Sequence, residues 1–482
     1  MVSIKIFLNH CTFHANVIEK RRKSYQFLPL EQHRARDISE AARELSSTVH
    51  PCQPSSFPGK TPSETFGIAK LMVTGFEWQA VDECKEKLNK NVKIIKERGK
   101  IYLNVFWNQF AQIQKMRSID NVFIVADVRK FEFSGISKEA DLQLFKDAVH
   151  NDMKLEKALN IWKNITGFQG KIYPTIDEYN RAEKDRKLCN TIITSIKGKK
   201  RGQDPSDTEK DEILRYRVTC ERTGKHIFES AEVARAIGGE LQDKYLWLVD
   251  LSTYYLEVVC KVISNELVTQ LRVTHESKHH RNIVSFGPTT LRATVCYNLL
   301  RLAHPNLGDI IIDPMCGSGS IPIEAALVYS QCYIMGGDNH PKAVFKTKSN
   351  IEASSSKCKI DLLHWNVSQL PFKDSFVDII VTDMPFGKRS GRMIDNRILY
   401  KEILIELGRI MKPLTGRSVL LTYDRRSFST ALQAARNLFC VTKTLGVNIG
   451  GLQAAVYVLK RTDISYEQFK PKFVKHITYK KK

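Results

Sequence analysis

No apolar run in this sequence reaches the roughly 18 residues that a membrane-spanning helix needs. The 482 residues include 11 cysteines, and none form a Cys-x-x-Cys pair. That scatter and odd count exclude a disulfide framework and a spaced-cysteine zinc site, and they fit a reducing, cytoplasmic setting. The pair also supplies ligands in base deaminases, so that chemistry is excluded as well. His279-His280 has no spaced cysteine or carboxylate partner, so no metal site is expected. The apolar core of a secretory signal is missing, and Glu19 and Glu31 offset the early basic bias a transit peptide would need. Acidic residues are in short supply: 52 Asp and Glu face 74 Lys and Arg, a net charge of +22. A surface so basic fits a nucleic-acid partner and says nothing of fold.

What is present divides along the chain, and the length alone suggests two to four domains. Residues 1–66 read as an N-terminal extension, with a basic run Lys20-Arg21-Arg22-Lys23 and a Pro/Ser/Gly-rich linker at 51–63. From Leu71 the pattern is strand (71–77), helix (80–88), strand (91–95), strand (101–103), helix (110–116), strand (122–125). This rhythm predicts a ferredoxin-like domain over 67–137. Residues 138–210 read as helices and linker, ending in the basic block Lys197-Gly198-Lys199-Lys200-Arg201, which suits RNA phosphates. Next come a strand at 214–220, a helix capped by Ser230 and closed by Gly238-Gly239, and alternating strands around 254–258 and 267–273.

The chemistry concentrates after residue 276. The buried strand 309–313 runs into Asp313-Pro314-Met315-Cys316-Gly317-Ser318-Gly319, and a helix comes next. A glycine-rich turn between strand and helix lets backbone approach a nucleotide-type ligand. The dinucleotide fingerprint is incomplete, because Pro322 stands where its third glycine belongs, and no Walker Gly-Lys-Ser/Thr occurs. The next strand ends at Asp338, at a distance that suits an acid on paired ribose hydroxyls. A third strand precedes Trp365-Asn366. A fourth, 377–382, runs into Asp383-Met384-Pro385-Phe386. An acid, a Pro-fixed turn and an aromatic at a strand's end form a small pocket. The carboxylate and backbone carbonyls accept hydrogen bonds from an amino group, and Phe386 stacks on a flat ring. An exocyclic base amine is a poor nucleophile because its lone pair is delocalised, and acceptors around it localise and aim that pair. The pocket therefore points to methylation of a base amine. The basic loop Gly387-Lys388-Arg389-Ser390-Gly391-Arg392 adjoins it.

Residues 66–275 resemble the RNA-binding THUMP domain with its preceding ferredoxin-like domain. Residues 276–482 resemble the class I S-adenosylmethionine (SAM)-dependent methyltransferases. The run Asp313 to Gly319 with its Ile323-Glu324-Ala325-Ala326 tail is similar to the glycine loop of the THUMP-containing RNA methyltransferases. The resemblance implies an α/β fold: a class I (Rossmann-like) domain with a seven-stranded sheet over 276–482, preceded by α+β ferredoxin-like (67–137) and THUMP (138–275) domains. It implies methyl transfer from SAM to guanosine N2 of tRNA, in the acceptor stem. Asp313, Gly317 and Gly319 would line the methionine end of the cofactor, Asp338 would hold the ribose and Asn366, where the family often has Asp, the adenine amine. Cys316 and Asn339 complete the candidate cofactor set. Asp383, Met384, Pro385 and Phe386 would hold the target base, with the backbone of Met384 as its working part. Asp at the first of these positions favours guanine N2 over adenine N6. The resemblance also implies a small zinc-binding activator subunit as partner. It implies modularity too: removing 67–275 should abolish RNA methylation yet spare cofactor binding. The alternatives are an RNA-binding protein with an inactive methyltransferase domain, and N2-guanosine methylation of another small RNA.

Overall fold

The computed structural model describes residues 65–88, 92–195, 213–274, 283–287, 289–354, 359–385 and 393–469. The N-terminal extension, the Lys197–Arg201 block, His279-His280, Phe386 and the 387–392 loop lie outside them. Contacts divide the chain into two interleaved units. One holds Leu88–Gln114 and Asn121–Glu276 together with the chain up to Leu71. The other holds Met72–Lys87, Lys115–Asp120 and Ser277–Lys482.

The first unit is built on one mixed eight-stranded sheet. Its strands are β1 (Thr65–Leu71), β2 (Ile94–Glu97), β3 (Lys100–Phe106), β4 (Asn121–Lys130), β5 (Arg215–Thr223), β6 (Leu248–Val249), β7 (Leu256–Ile263) and β8 (Glu266–Arg272), in the order β2-β3-β1-β4-β8-β7-β5-β6. Strands expected in two successive domains thus share a single sheet, joined where β4 pairs antiparallel with β8. The helices Lys138–Asp147, Glu156–Thr166 and Ser230–Tyr245 bury Phe145, Trp162 and Leu241 on it.

Three local expectations are corrected. The first strand is Thr65–Leu71 rather than 71–77, and Val73 and Phe76 beyond its end pack in the second unit's core. Glu229, not Ser230, caps the helix Ser230–Tyr245, through a reciprocal capping box with Glu232. That helix also continues through Gly238-Gly239 to Tyr245. The Tyr216 hydroxyl of β5 donates to the Gly238 carbonyl, and a Cβ at Gly238 would lie 3.5 Å from Val218 Cγ2. Gly238 therefore allows strand and helix to approach, which outweighs its low helix propensity.

The second unit carries the expected seven-stranded sheet. Its strands are β9 (Ile310–Asp313), β10 (Tyr333–Asp338), β11 (Asp361–His364), β12 (Ile379–Asp383), β13 (Arg417–Thr422), β14 (Phe439–Ile449) and β15 (Leu452–Arg461), in the order β11-β10-β9-β12-β13-β15-β14. β9 to β13 run parallel, and β15 is antiparallel to its neighbours. Helices cover both faces. One core gathers Val295, Leu299, Ile323 and Val381. The other gathers Ile380, Tyr400, Leu404 and Leu420. Strand order reverses between β9 and β12, and open α/β sheets bind ligands at the carboxyl ends of strands flanking such a reversal. Residues 72–87 and 115–120 belong to this unit. Deleting 67–275 would therefore cut into the second unit itself, and cofactor binding is no longer expected to survive that deletion.

Candidate functional site

The turn after β9 is shaped by its glycines. Gly317 and Gly319 hold φ of +57° and +83°, a region that side chains disfavour. A Cβ on Gly319 would also stand 2.7 Å from Thr347 Cγ2. Pro322, in the place of the missing third glycine, packs beneath Gly336, where an added Cβ would meet Pro322 Cγ at 3.2 Å. The turn is pinned from several sides. The Trp365 indole N–H donates to Pro314 O (3.0 Å), Cys316 N to Gly337 O (3.0 Å) and the Thr347 hydroxyl to Gly317 O (2.9 Å). Asn350, fully buried, donates to Ser318 O and accepts from the Val284 and Ser285 amides, tying the segment 283–287 beside the turn. Cys316 is buried with its thiol pKa pushed up, chiefly by that burial, so it acts here as a small packing group.

At the end of β10, Asp338 Oδ2 accepts from Gly317 N (3.0 Å) and Oδ1 from His340 N (2.9 Å). The acid that was expected to face a ribose therefore also locks the glycine turn to β10. Each carboxylate oxygen keeps acceptor capacity beyond one bond. Asn339 is exposed, and its carbonyl contacts His364 Nε2 at 2.9 Å. Asn366 lies exposed after β11, and its Oδ1 already accepts from Ser368 N (3.0 Å), closing a local turn. Asp313, Gly317, Asp338 and Asn366 thus fall on three adjacent strand ends.

Gly337 admits no side chain. A Cβ there would overlap the Trp365 ring and approach Leu363 O to 2.6 Å. Gly337→Ala is expected to destabilise the unit by about 1–3 kcal/mol through overpacking. A lowered thermal midpoint checks this, and an unchanged one would contradict it.

The ends of the neighbouring strands β9 and β12 supply one buried acid each, Asp313 and Asp383. Asp313 is buried. Its Oδ1 accepts from the Thr382 hydroxyl (2.6 Å) and Met315 N (3.2 Å), yet burial still pushes its pKa up to about 7. Asp383 is raised well above the ordinary carboxylate range, first by burial and then by the charge of Asp313. Its Oδ1 is buried and has no hydrogen-bond partner among the described residues. An unpartnered buried acceptor of this kind is costly unless something else donates to it. The Met384 side chain is fully buried in the core and its N–H donates to Leu421 O (2.8 Å); among the described residues no donor is seen on its carbonyl. The Pro385 carbonyl accepts from the Tyr400 hydroxyl, which also meets Thr422 Oγ1 at 3.2 Å. Sequence reasoning missed Tyr400, Thr382, Trp365 and Asn350. Each acts through a partner far along the chain, and no local pattern marks it.

The chain was compared with known proteins. The RMKL-like methyltransferase domain family matches residues 281–455. The tRNA (guanine(6)-N(2))-methyltransferase THUMP3 of Bos taurus is 39% identical, covering 83% of this chain and 89% of that protein. Its Homo sapiens counterpart is 36% identical, covering 88% and 95%. The U6 snRNA (guanine-N(2))-methyltransferase THUMPD2 of Homo sapiens is 32% identical over 43% of this chain. Among solved structures, TrmN from Thermus thermophilus aligns with a TM-score of 0.62 at 21% identity, covering 83% of this chain and all of that one. SMU.472, a putative methyltransferase complexed with SAH, aligns at 0.58 and 13%, covering 84% and 100%. Both likenesses are of fold.

Proposed function

This chain belongs to the THUMP3 family of tRNA (guanine-N2)-methyltransferases, and we propose that Asp383 is the group that receives the target guanine's amine. The enzyme transfers a methyl group from SAM to guanosine N2 of tRNA. The observation that carries the site assignment is the Oδ1 of Asp383 at the end of β12, buried and with no hydrogen-bond partner among the described residues.

The residues fit SAM. The two positive-φ glycines leave backbone free to approach a ligand, and Asp338 has lone pairs left for a diol. Asp313 and Asp383 are acids whose ionisation a nearby cation would favour. When bound, SAM supplies an electrophilic methyl group on a sulfonium. Everything else falls to the protein. Asp338 holds the ribose while keeping the glycine turn in place. Asp313, fixed by Thr382, would offer a negative charge to the cofactor's cationic methionine end. Asp383 Oδ1 and the Met384 carbonyl accept from the guanine N2 amine, turning its lone pair toward the methyl group. Asp383 then takes the proton that N2 must lose. Tyr400 holds the Pro385 carbonyl, and so the turn, in register. The protein's work is positioning and acceptor electrostatics, with no covalent step on an enzyme group. Stacking on the base is the role proposed for Phe386, which lies outside the described residues, and Cys316, Asn339 and Asn366 are the remaining candidate cofactor contacts.

The RNA-binding role of 138–275 is part of the same reading. It is supported by a cavity of about 560 Å³ in the first unit, lined by Trp162, Phe168, Tyr254, Tyr255 and Arg272 among others. Phe168 lies 5.1 Å from the Tyr255 ring, and the Arg217 guanidinium sits 4.0 Å over Tyr254. Aromatic faces beside arginines suit unpaired bases. Phe168→Ala or Tyr255→Ala is expected to weaken tRNA binding by about 1–3 kcal/mol. With a net charge of +22, binding of the parent protein should fall steeply as salt rises. Filter binding across a salt series checks both, and salt-independent affinity would remove electrostatics from the account.

Guanosine 6 of tRNA, in the acceptor stem, is the target proposed here; the name of the relatives that span the chain, tRNA (guanine(6)-N(2))-methyltransferase, supports the position. U6 snRNA is the second reading, and it rests on relatives matching under half of the chain. A small zinc-binding activator subunit and a cytoplasmic location complete the proposal. The test is incubation of the protein, with and without such a subunit, with SAM and either tRNA or U6 snRNA, and then nucleoside mass spectrometry. N2-methylguanosine at position 6 of tRNA is expected. Methylation confined to U6 snRNA, or found on adenine, would sink the substrate assignment.

A further inference from the structure

The helix that carries the glycine turn, Ser320–Val328, contains one charged residue, Glu324, and it is only 1% exposed. A buried carboxylate in an apolar helix requires a partner. The partner is Arg117, some two hundred residues earlier in the chain. Its Nε donates to Glu324 Oε1 (2.6 Å) and its Nη2 to Oε2 (2.7 Å), a two-bond fork.

Arg117 is itself held. It lies in Lys115–Asp120, one of the two early segments that belong to the second unit. Glu83, fully buried on the helix Glu77–Lys87, accepts from the amides of Arg117 (3.0 Å) and Ser118 (2.9 Å) and from the hydroxyl of Tyr297 (3.0 Å). Asp120 accepts from the Thr294 hydroxyl (2.6 Å), and Asn298 Nδ2 donates to Ser118 O (3.2 Å). The stretch around Arg117 is thus clamped between the helices Glu77–Lys87 and Ala293–Ala303. So elaborate a mount for one guanidinium is not needed for solubility or for a loose surface pair. It fixes where the fork meets the glycine-turn helix.

We propose that Arg117 is a positioning residue of the cofactor site: through Glu324 it sets the depth and rotation of the helix Ser320–Val328, and with them the backbone of Gly317 and Gly319. The inference rests on the reading of that turn as the part that holds SAM. It makes two segments of the N-terminal half integral to cofactor binding, although they touch no catalytic group.

The experiment measures S-adenosylhomocysteine affinity by calorimetry on the full chain, with a thermal melt for each variant. Arg117→Gln leaves Glu324 buried without its cation, and is expected to weaken affinity by roughly tenfold or more. Arg117→Lys keeps the charge but loses the fork, and should recover part of the loss. Should Arg117→Gln fail to fold, Arg117→Lys carries the test with a loss of about threefold, half a decade on the affinity scale. Glu86→Gln is the control. It breaks the Arg301–Glu86 pair between the same two helices from its exposed side, keeping the Arg301 contact with Tyr297, and should leave affinity unchanged. Gly319→Val tests the underlying reading separately, by placing a side chain against Thr347. Loss of binding in Gly319→Val with parent-like affinity in the Arg117 variants would overturn the positioning role. Equal losses in Glu86→Gln and Arg117→Gln would overturn it too, because general loosening would then suffice. Retained binding in Gly319→Val would instead remove the turn from the cofactor site.

Discussion

Alanine at Asp383 is expected to slow single-turnover methyl transfer to tRNA by about 10²–10³, with cofactor affinity changed far less. The acceptor it removes is used most as positive charge develops on the guanine nitrogen, so its loss is felt in the transition state rather than in binding. The pH dependence distinguishes this from a simple packing defect. Burial, then the charge of Asp313, raises the Asp383 pKa, so the carboxyl keeps its proton to a higher pH than an ordinary aspartate. The ionised form, which accepts and takes up the proton, grows as pH rises. The rate should therefore climb with pH along an acid limb above the usual carboxylate range. Asp383→Asn should flatten that limb. Asp313→Asn removes one of the two charges and should move the limb to lower pH. The measurement is single-turnover transfer at saturating SAM and tRNA, scored by nucleoside mass spectrometry. Near-normal N2-methylguanosine formation by folded Asp383→Ala would refute the pocket.

The second large effect is expected at Asp338. Its carboxylate accepts from Gly317 N and His340 N in the protein itself, in addition to the ribose contacts proposed for it. Asp338→Ala removes the ligand's partner and frees the glycine turn from β10. Loss of charge-assisted hydrogen bonds of this kind costs about 1.5–3 kcal/mol, which corresponds to roughly 10- to 150-fold in affinity. Asp338→Asn keeps an acceptor for one backbone amide and should fall between parent and alanine. Calorimetry with S-adenosylhomocysteine on folded protein decides it, and parent-like affinity in Asp338→Ala would take Asp338 out of the site.

Much of this architecture could be read from residues near one another in the chain. The strands β9, β10, β11 and β12 each end at a polar residue after an apolar run, and the glycine turn lies between a strand and a helix. Those are local patterns, and they locate Asp313, Asp338 and Asp383 at successive strand ends; that β10, β9 and β12 are neighbours comes from their pairing. What escaped the sequence depends on distant partners. Val73 and Phe76 fall in a run that reads as a strand, but their apolar side chains pack in the second unit's core rather than in a sheet. Gly238-Gly239 reads as a helix stop until Tyr216 is placed against it. The Tyr400 hydroxyl on Pro385 and the Trp365 indole on Pro314 come from tertiary packing alone. Nothing local marks Arg117 or Glu324 as a pair, and only folding brings them together.

The bridge between Thr74 and Asn448 has a consequence for how the protein is made. Thr74 leaves the ribosome roughly 370 residues ahead of its partner. At about 5–20 residues per second, the segment Met72–Lys87 waits some tens of seconds for the strand it must join. Throughout that interval Val73 and Phe76, both buried in the finished protein, lack the part of their core that Val447, Ala454 and Val456 supply. The eight-stranded sheet can close once β8 has emerged, but the catalytic unit remains incomplete until β14 and β15 are made. Nascent chains arrested before β14 should consequently carry a formed first unit and a protease-sensitive, chaperone-binding stretch around Met72–Phe76, which becomes protected only once β14 and β15 have emerged.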